Sequence, residues 1–89
     1  MLHRYWLTLA PIAHPGIRVA GCGITAYDEA DARRLFETTA VPYLGPREII
    51  EIIKDIDITT LDQGHVIPNM GLCSNRGVWY PNLPSPVRD

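Results

Sequence analysis

Apolar and polar side chains alternate along residues 3–9, with Tyr5, Leu7 and Leu9 on one side and Arg4, Trp6 and Thr8 on the other. That is the period of a half-buried strand, and its odd positions are predicted to face a core. Trp6 then points outward between a cation and a hydroxyl, unless a second layer covers it. Residues 10–16 carry two prolines and a glycine and read as a loop. A second strand is predicted over residues 17–27, but its apolar phase changes part-way. Ile17 and Val19 are odd, whereas Ala20, Cys22, Ile24 and Ala26 are even, and the change falls at Gly21 and Gly23. A bulge or bend would reconcile the two halves. The alternative is a close approach of a ligand or another backbone at Gly21, Cys22 and Gly23, whose spacing is not that of a phosphate loop.

The period then becomes helical. Asp28 suits an N-cap, and Asp28, Glu29 and Asp31 put negative charge where the helix dipole is positive. Tyr27 and Ala32 are placed for a hydrophobic staple, and Glu29 with Arg33 forms a well-oriented i,i+4 pair. Ala32, Leu35, Phe36 and Thr39 make the inward stripe. Thr38, Thr39 and Val41 are weak helix formers and Pro42 disfavours the α region for its predecessor, so the helix is predicted to stop near Ala40.

Residues 47–56 fit two periods. Ile49, Ile52, Ile53 and Ile56 sit at helical spacing behind Pro46, yet six of the eleven residues from 48 to 58 are isoleucine, which is stiff and prefers strands. A strand over 49–56 is the favoured reading, followed by a turn or short helix capped by Thr59 or Thr60. From residue 64 onward there are four prolines, three glycines and three asparagines, so regular structure should be sparse. Val66, Ile67, Met70, Leu72, Val78, Trp79, Tyr80 and Leu83 mark that segment as one that wraps on the domain or on a partner, and residues 77–80 can add a short edge strand. The expected fold is α+β: a small antiparallel sheet in the order β-β-α-β, one helix packed across it, and an irregular C-terminal segment. Residues 1–84 form the single domain and 85–89 a loose tail.

Composition narrows the class. Of 89 residues 46% are apolar and the net charge is -2, which argues against intrinsic disorder. No apolar run approaches the roughly 20 residues of a membrane-spanning helix, and the opening residues do not read as a secretory signal, so a cytoplasmic location is expected. In that compartment Cys22 and Cys73 are expected to be ordinary buried thiols and not a disulfide. The eight Lys and Arg are scattered, which argues against nucleic acid. So small a domain leaves little margin over conformational entropy, and dimerisation would be a gain.

Candidate chemistry is thin. His3, His14, His65, Cys22 and Cys73 could ligate a metal, but no two lie at the two-to-four-residue spacing of a zinc site, and neither metal nor cofactor is expected. His65 with Asp62 resembles an oriented base beside the flexible Gly64, and Cys73 could act as a nucleophile with His65; a turn histidine and a structural thiol are the plainer readings. Trp6, Trp79 and Tyr80, with Arg4 and Arg76 near them in sequence, are residue types that anchor interfaces, although the last two aromatics could equally plug a core. Glu48, Glu51, Asp55, Asp57 and Asp62 against Arg47 and Lys54 leave a local balance of -3, making one edge acidic. The favoured function is a small non-catalytic protein-binding domain, using Arg4, Trp6, Asp55, Asp57, Asp62, Trp79 and Tyr80 to dock on a protein partner or on a second copy. An inhibitor or immunity-type protein that neutralises a basic nuclease-like partner is one concrete version. The alternative is a small enzyme or ligand-binding protein with a pocket lined by His65, Asn69, Cys73 and Arg76.

Overall fold

The computed structural model describes residues 1–10, 21–61, 63, 64 and 66–81. Expectations for residues 17–20, His14, Asp62, His65 and residues 82–89 lie outside them. Four antiparallel strands form one sheet: β1 (His3–Leu9), β2 (Gly21–Ala26), β3 (Ile49–Lys54) and β4 (Gly77–Tyr80), in the order β3-β1-β2-β4. The α+β fold expected from the sequence is observed, with the optional edge strand present as β4.

The first face of the sheet builds the core. Tyr5, Leu7 and Leu9 point inward from β1, and their register partners bring Ile24 and Cys22 from β2 and Ile52 and Ile49 from β3 to the same side. A helical arm crosses this face as α1 (Glu29–Leu35), a wide π turn over Phe36–Ala40, and α2 (Val41–Leu44). Asp28 caps it as expected, its Oδ1 accepting from the Asp31 amide at 2.8 Å, and Arg33 meets Glu29 at 3.2 Å. The arm continues past Ala40, contrary to the expectation that Pro42 ends it. In the wide turn the Val41 amide bonds to the Phe36 carbonyl, five residues back, and Val41 stays helical at φ -57° and ψ -39°. The widened spacing relieves the clash between the proline ring and the preceding turn. The arm ends instead at Gly45, whose φ of 78° is a left-handed conformation.

The π turn also aligns the buried stripe. Ala32, Phe36, Ala40 and Leu44 are all buried, a repeat of four residues. In an ideal α-helix that repeat drifts by about 40° per step. Extra residues per turn in the middle cancel part of the drift and keep the stripe over the sheet. Thr39, expected inward, is only half-buried, and Ala40 takes its place.

The second face carries Arg4, Trp6 and Thr8 from β1 opposite Thr25, Gly23 and Gly21 from β2. A second layer does cover it. Trp79 of β4 lies on Gly23, where a Cβ would overlap Cη2 and Cζ3 of the indole, and Trp6 lies on Gly21, where a Cβ would overlap its Cζ2. The glycines therefore admit two aromatic rings. Residues 21–26 pair with β1 without a break, and the register shift lies between β2 and β4, where Ile24 opposes Val78 and Gly23 opposes Tyr80, leaving Trp79 as the extra residue. An irregularity thus falls at Gly23 and Ile24 in the pairing with β4, tryptophan rings are the close neighbours of these glycines, and the phase change toward residues 17–20 lies outside the described residues. The irregular segment completes the layer: Val66 is buried, the Thr25 hydroxyl donates to the Cys73 carbonyl at 2.6 Å, and the Gly71 amide donates to the Trp79 carbonyl at 2.6 Å.

Candidate partner-binding surface

The isoleucine stretch forms a strand because β1 offers it a matching ladder, with Ile52 opposite Leu7 and Ile53 opposite Trp6. A register shift between Thr8 and Leu9 leaves Ile50 without an opposite number, and its side chain is 60% exposed. β3 ends at Asp55, which adopts a φ of 56° and accepts from His3 Nδ1 at 2.8 Å. The chain then rejoins β1 through the Ile56 amide and the Arg4 carbonyl at 3.1 Å. Asp57 caps the short turn Ile58–Thr60, accepting from the amide and the hydroxyl of Thr59 at 3.0 and 2.7 Å. These bonds from Thr59, with the nearby Arg4 cation, hold its carboxyl below the usual range.

Glu48, Glu51, Asp55 and Asp57 are all exposed, so the acidic residues fall along one border of the sheet, accompanied by exposed Lys54. Of the residues named as candidate contacts, Asp55 and Asp57 lie on this border and Arg4 lies beside Asp57. The aromatic candidates are arranged differently. Trp6 stacks on Tyr80 with centroids 5.7 Å apart and planes at 27°, and meets Trp79 at 6.1 Å and 38°. Trp79 is 1% exposed and belongs to the interior, while Trp6 and Tyr80 are half-buried. The indole Nε1 of Trp79 is buried with no hydrogen-bond partner. The aromatic trio therefore works chiefly as packing between the sheet and the irregular segment.

Of the four residues named for a pocket, His65 lies outside the described residues and the other three are placed as follows. Asn69 borders an open cleft of about 450 Å³ with Pro68, Tyr80 and Pro81. Cys73 is half-buried, not buried as expected, and is held through its carbonyl by Thr25. Arg76 is committed elsewhere: its Nε and Nη2 reach the two carboxylate oxygens of Asp31 at 2.9 and 2.5 Å, and its guanidinium lies 5.6 Å over the Tyr27 ring. Arg76 thereby holds Asp31 down to about 2, assisted by a hydrogen bond from the Tyr27 amide. This fork ties the start of β4 to the start of α1. The predicted staple is absent as such, since Tyr27 is 58% exposed and stacks against Arg76. The Asp28 cap was expected from the sequence, and Asp31 was read there only as one of three negative charges at the helix start. Nothing in the sequence pointed to the partner 45 residues away.

Cys22 is buried beneath the helical arm, and burial pushes its thiol up to about 12. Among the described residues, no three His, Cys, Asp or Glu side chains gather as metal ligands do, and no helix is long and apolar enough to cross a membrane. No protein-family model matches the chain, and no curated protein or solved structure matches it either.

Proposed function

We propose that this chain is a small non-catalytic protein-binding domain of the inhibitor or immunity type, whose acidic border docks on a basic partner. The observation that carries the reading is the exposure of Glu48, Glu51, Asp55 and Asp57 along one side of a rigid sheet. At roughly 3.3 Å per residue, the stretch from Glu48 to Asp55 spans about 23 Å, comparable to the width of an ordinary protein interface. Carboxylates so arrayed raise the rate of encounter with a cationic surface and discourage acidic competitors. The Debye length is about 8 Å at physiological ionic strength, so binding should be salt-sensitive.

Carbodiimide crosslinking in the source cells tests this, because it joins a carboxylate to an amine only when they touch. The expected product links a peptide containing Glu48, Glu51 or Asp55 to lysines of one basic protein, and its yield falls severalfold in Glu48→Gln/Glu51→Gln/Asp55→Asn. Crosslinks that bypass this border, or a partner of net negative charge, would defeat the proposal.

A further inference from the structure

The two borders of the sheet are finished in different ways. Outside β4 the Gly71 amide takes the Trp79 carbonyl, so the irregular segment already occupies that side. Among the described residues nothing corresponds outside β3: it pairs with β1, and no described residue makes a backbone hydrogen bond to its outer side. Open borders of this kind are usually shortened, bulged or covered, since unpaired amides and carbonyls recruit other strands. In β3 the irregularity is confined to the end at Ile50, and the left-handed Asp55 closes the other end. Between them Glu51, Ile52, Ile53 and Lys54 run in regular register with β1.

We infer that the outer side of β3 is a strand-addition site, which takes an extended segment of the partner, rich in Lys or Arg alternating with β-branched residues, as a fifth strand. The inference rests on the reading of the acidic border as the docking surface and states how docking occurs. Main-chain bonds supply affinity in this mode, and side chains at alternate positions supply selectivity. Charge identifies the occupant. A second copy paired antiparallel about a two-fold axis doubles Glu48, Glu51, Asp55 and Asp57 along one seam. Centred on Glu51 it sets that residue against itself, centred on Ile53 it sets Glu51 against Asp55, and centred on Ile52 it sets Glu51 against Ile53, so that none of these registers gives Glu51 a cation. Like charges directly opposed across strands are destabilising. A cationic strand removes the conflict: in an alternating sequence its Lys or Arg positions lie opposite Glu51 and Ile53 on one face, and its β-branched positions lie opposite Ile52 and Lys54 on the other.

The test uses four synthetic decapeptides: alternating Lys and Val, the same sequence N-methylated at every second residue in each of the two phases, and alternating Glu and Val. Binding is followed by amide chemical shifts and hydrogen exchange of the intact chain. The Lys-Val peptide is expected to shift the amides of residues 50–54 and to slow exchange on the outer side of β3 at least fivefold. N-methylation in the phase that blocks the amides facing β3 should weaken binding at least tenfold with the charge unchanged, and the Glu-Val peptide should not bind. Equal binding by both N-methylated phases and the parent peptide would show attraction by side-chain charge alone; that overturns strand addition and leaves the acidic docking surface intact. No binding at β3 at millimolar peptide also overturns it. Light scattering on the protein alone should give a monomer, and a dimer sealed along β3 would assign the border to a second copy and refute the occupant named here.

Discussion

Replacing Gly23 by alanine probes the packing that makes this a three-layered domain. Such a change ordinarily stabilises by about 0.4–1 kcal/mol, because the unfolded chain loses freedom. Here the new methyl would overlap the Trp79 ring, which is 1% exposed and has Trp6 against it at 6.1 Å. The ring has no room to withdraw, and forcing a methyl into a filled site costs about 1–3 kcal/mol. The steric term wins, for a net loss of about 1–2 kcal/mol. In a domain of this size that lowers Tm by about 4–16 °C, measurable by circular dichroism or calorimetry. Gly21→Ala should cost less, because the half-buried Trp6 can tilt toward solvent. The decisive comparison is a double-mutant cycle: in a Trp79→Leu background, Gly23→Ala should lose its penalty and give a coupling of about 1–2 kcal/mol. Gly45→Ala is the control, costing about 1 kcal/mol through its φ of 78° with no coupling to residue 79. The packing argument is refuted if Gly23→Ala melts at or above the parent, or costs the same in both backgrounds.

Three further outcomes follow from the core and the Asp31 fork. Asp31 is depressed to about 2 from 3.8, so its contribution is fully present above the unfolded value and is lost as pH falls through the folded one. The Tm gap between the parent and Asp31→Asn should stay constant from neutral pH to about 5 and close between 3.8 and 2; a gap that persists at pH 2 would contradict the ion pair. Phe36→Ala should cost about 3–5 kcal/mol in denaturant titration, since Phe36 is 1% exposed at the centre of the stripe, and a loss under 1 kcal/mol would place it outside the core. Cys22, wholly buried and with its thiol raised to about 12, should resist a disulfide reagent in the native protein and react only in guanidinium, a result checked by mass spectrometry of the labelled peptides.

Where local physics decides the conformation, the sequence was readable. The alternation in β1, the Asp28 cap and the Glu29–Arg33 pair depend on neighbours within four residues, and each is observed. The isoleucine stretch came out as a strand because β-branched side chains fit a pleated ladder better than a helix face. The misreadings have tertiary causes. Pro42 looked like a stop because a regular α turn cannot hold it, whereas the π turn, which keeps the buried stripe over the sheet, can. The rings over Gly21 and Gly23 were not foreseen because a missing side chain gives no sign of which ring will occupy the space. The Arg76–Asp31 pair was not foreseen because the two residues are remote in sequence.

The same reasoning separates two kinds of residue that look alike in the sequence. Trp79, an aromatic of the type that anchors interfaces, is buried, whereas the charged Glu51 is exposed. A ring enclosed by Gly23 and Trp6 has already buried its apolar surface within the chain and has little more to gain from a partner. The carboxylates beside β3 have no such internal use beyond the turn at Asp57 and the contact of Asp55 with His3. On the function proposed above, recognition would fall to charge and to the outer main chain of β3, which no described residue pairs, two features that act at the same place. Charge alone would make binding fast, salt-sensitive and loosely selective, and an open strand alone would invite any extended chain, including its own copy. Acting together as proposed, they would restrict the occupant, because the carboxylates disfavour self-pairing while the ladder requires an extended backbone.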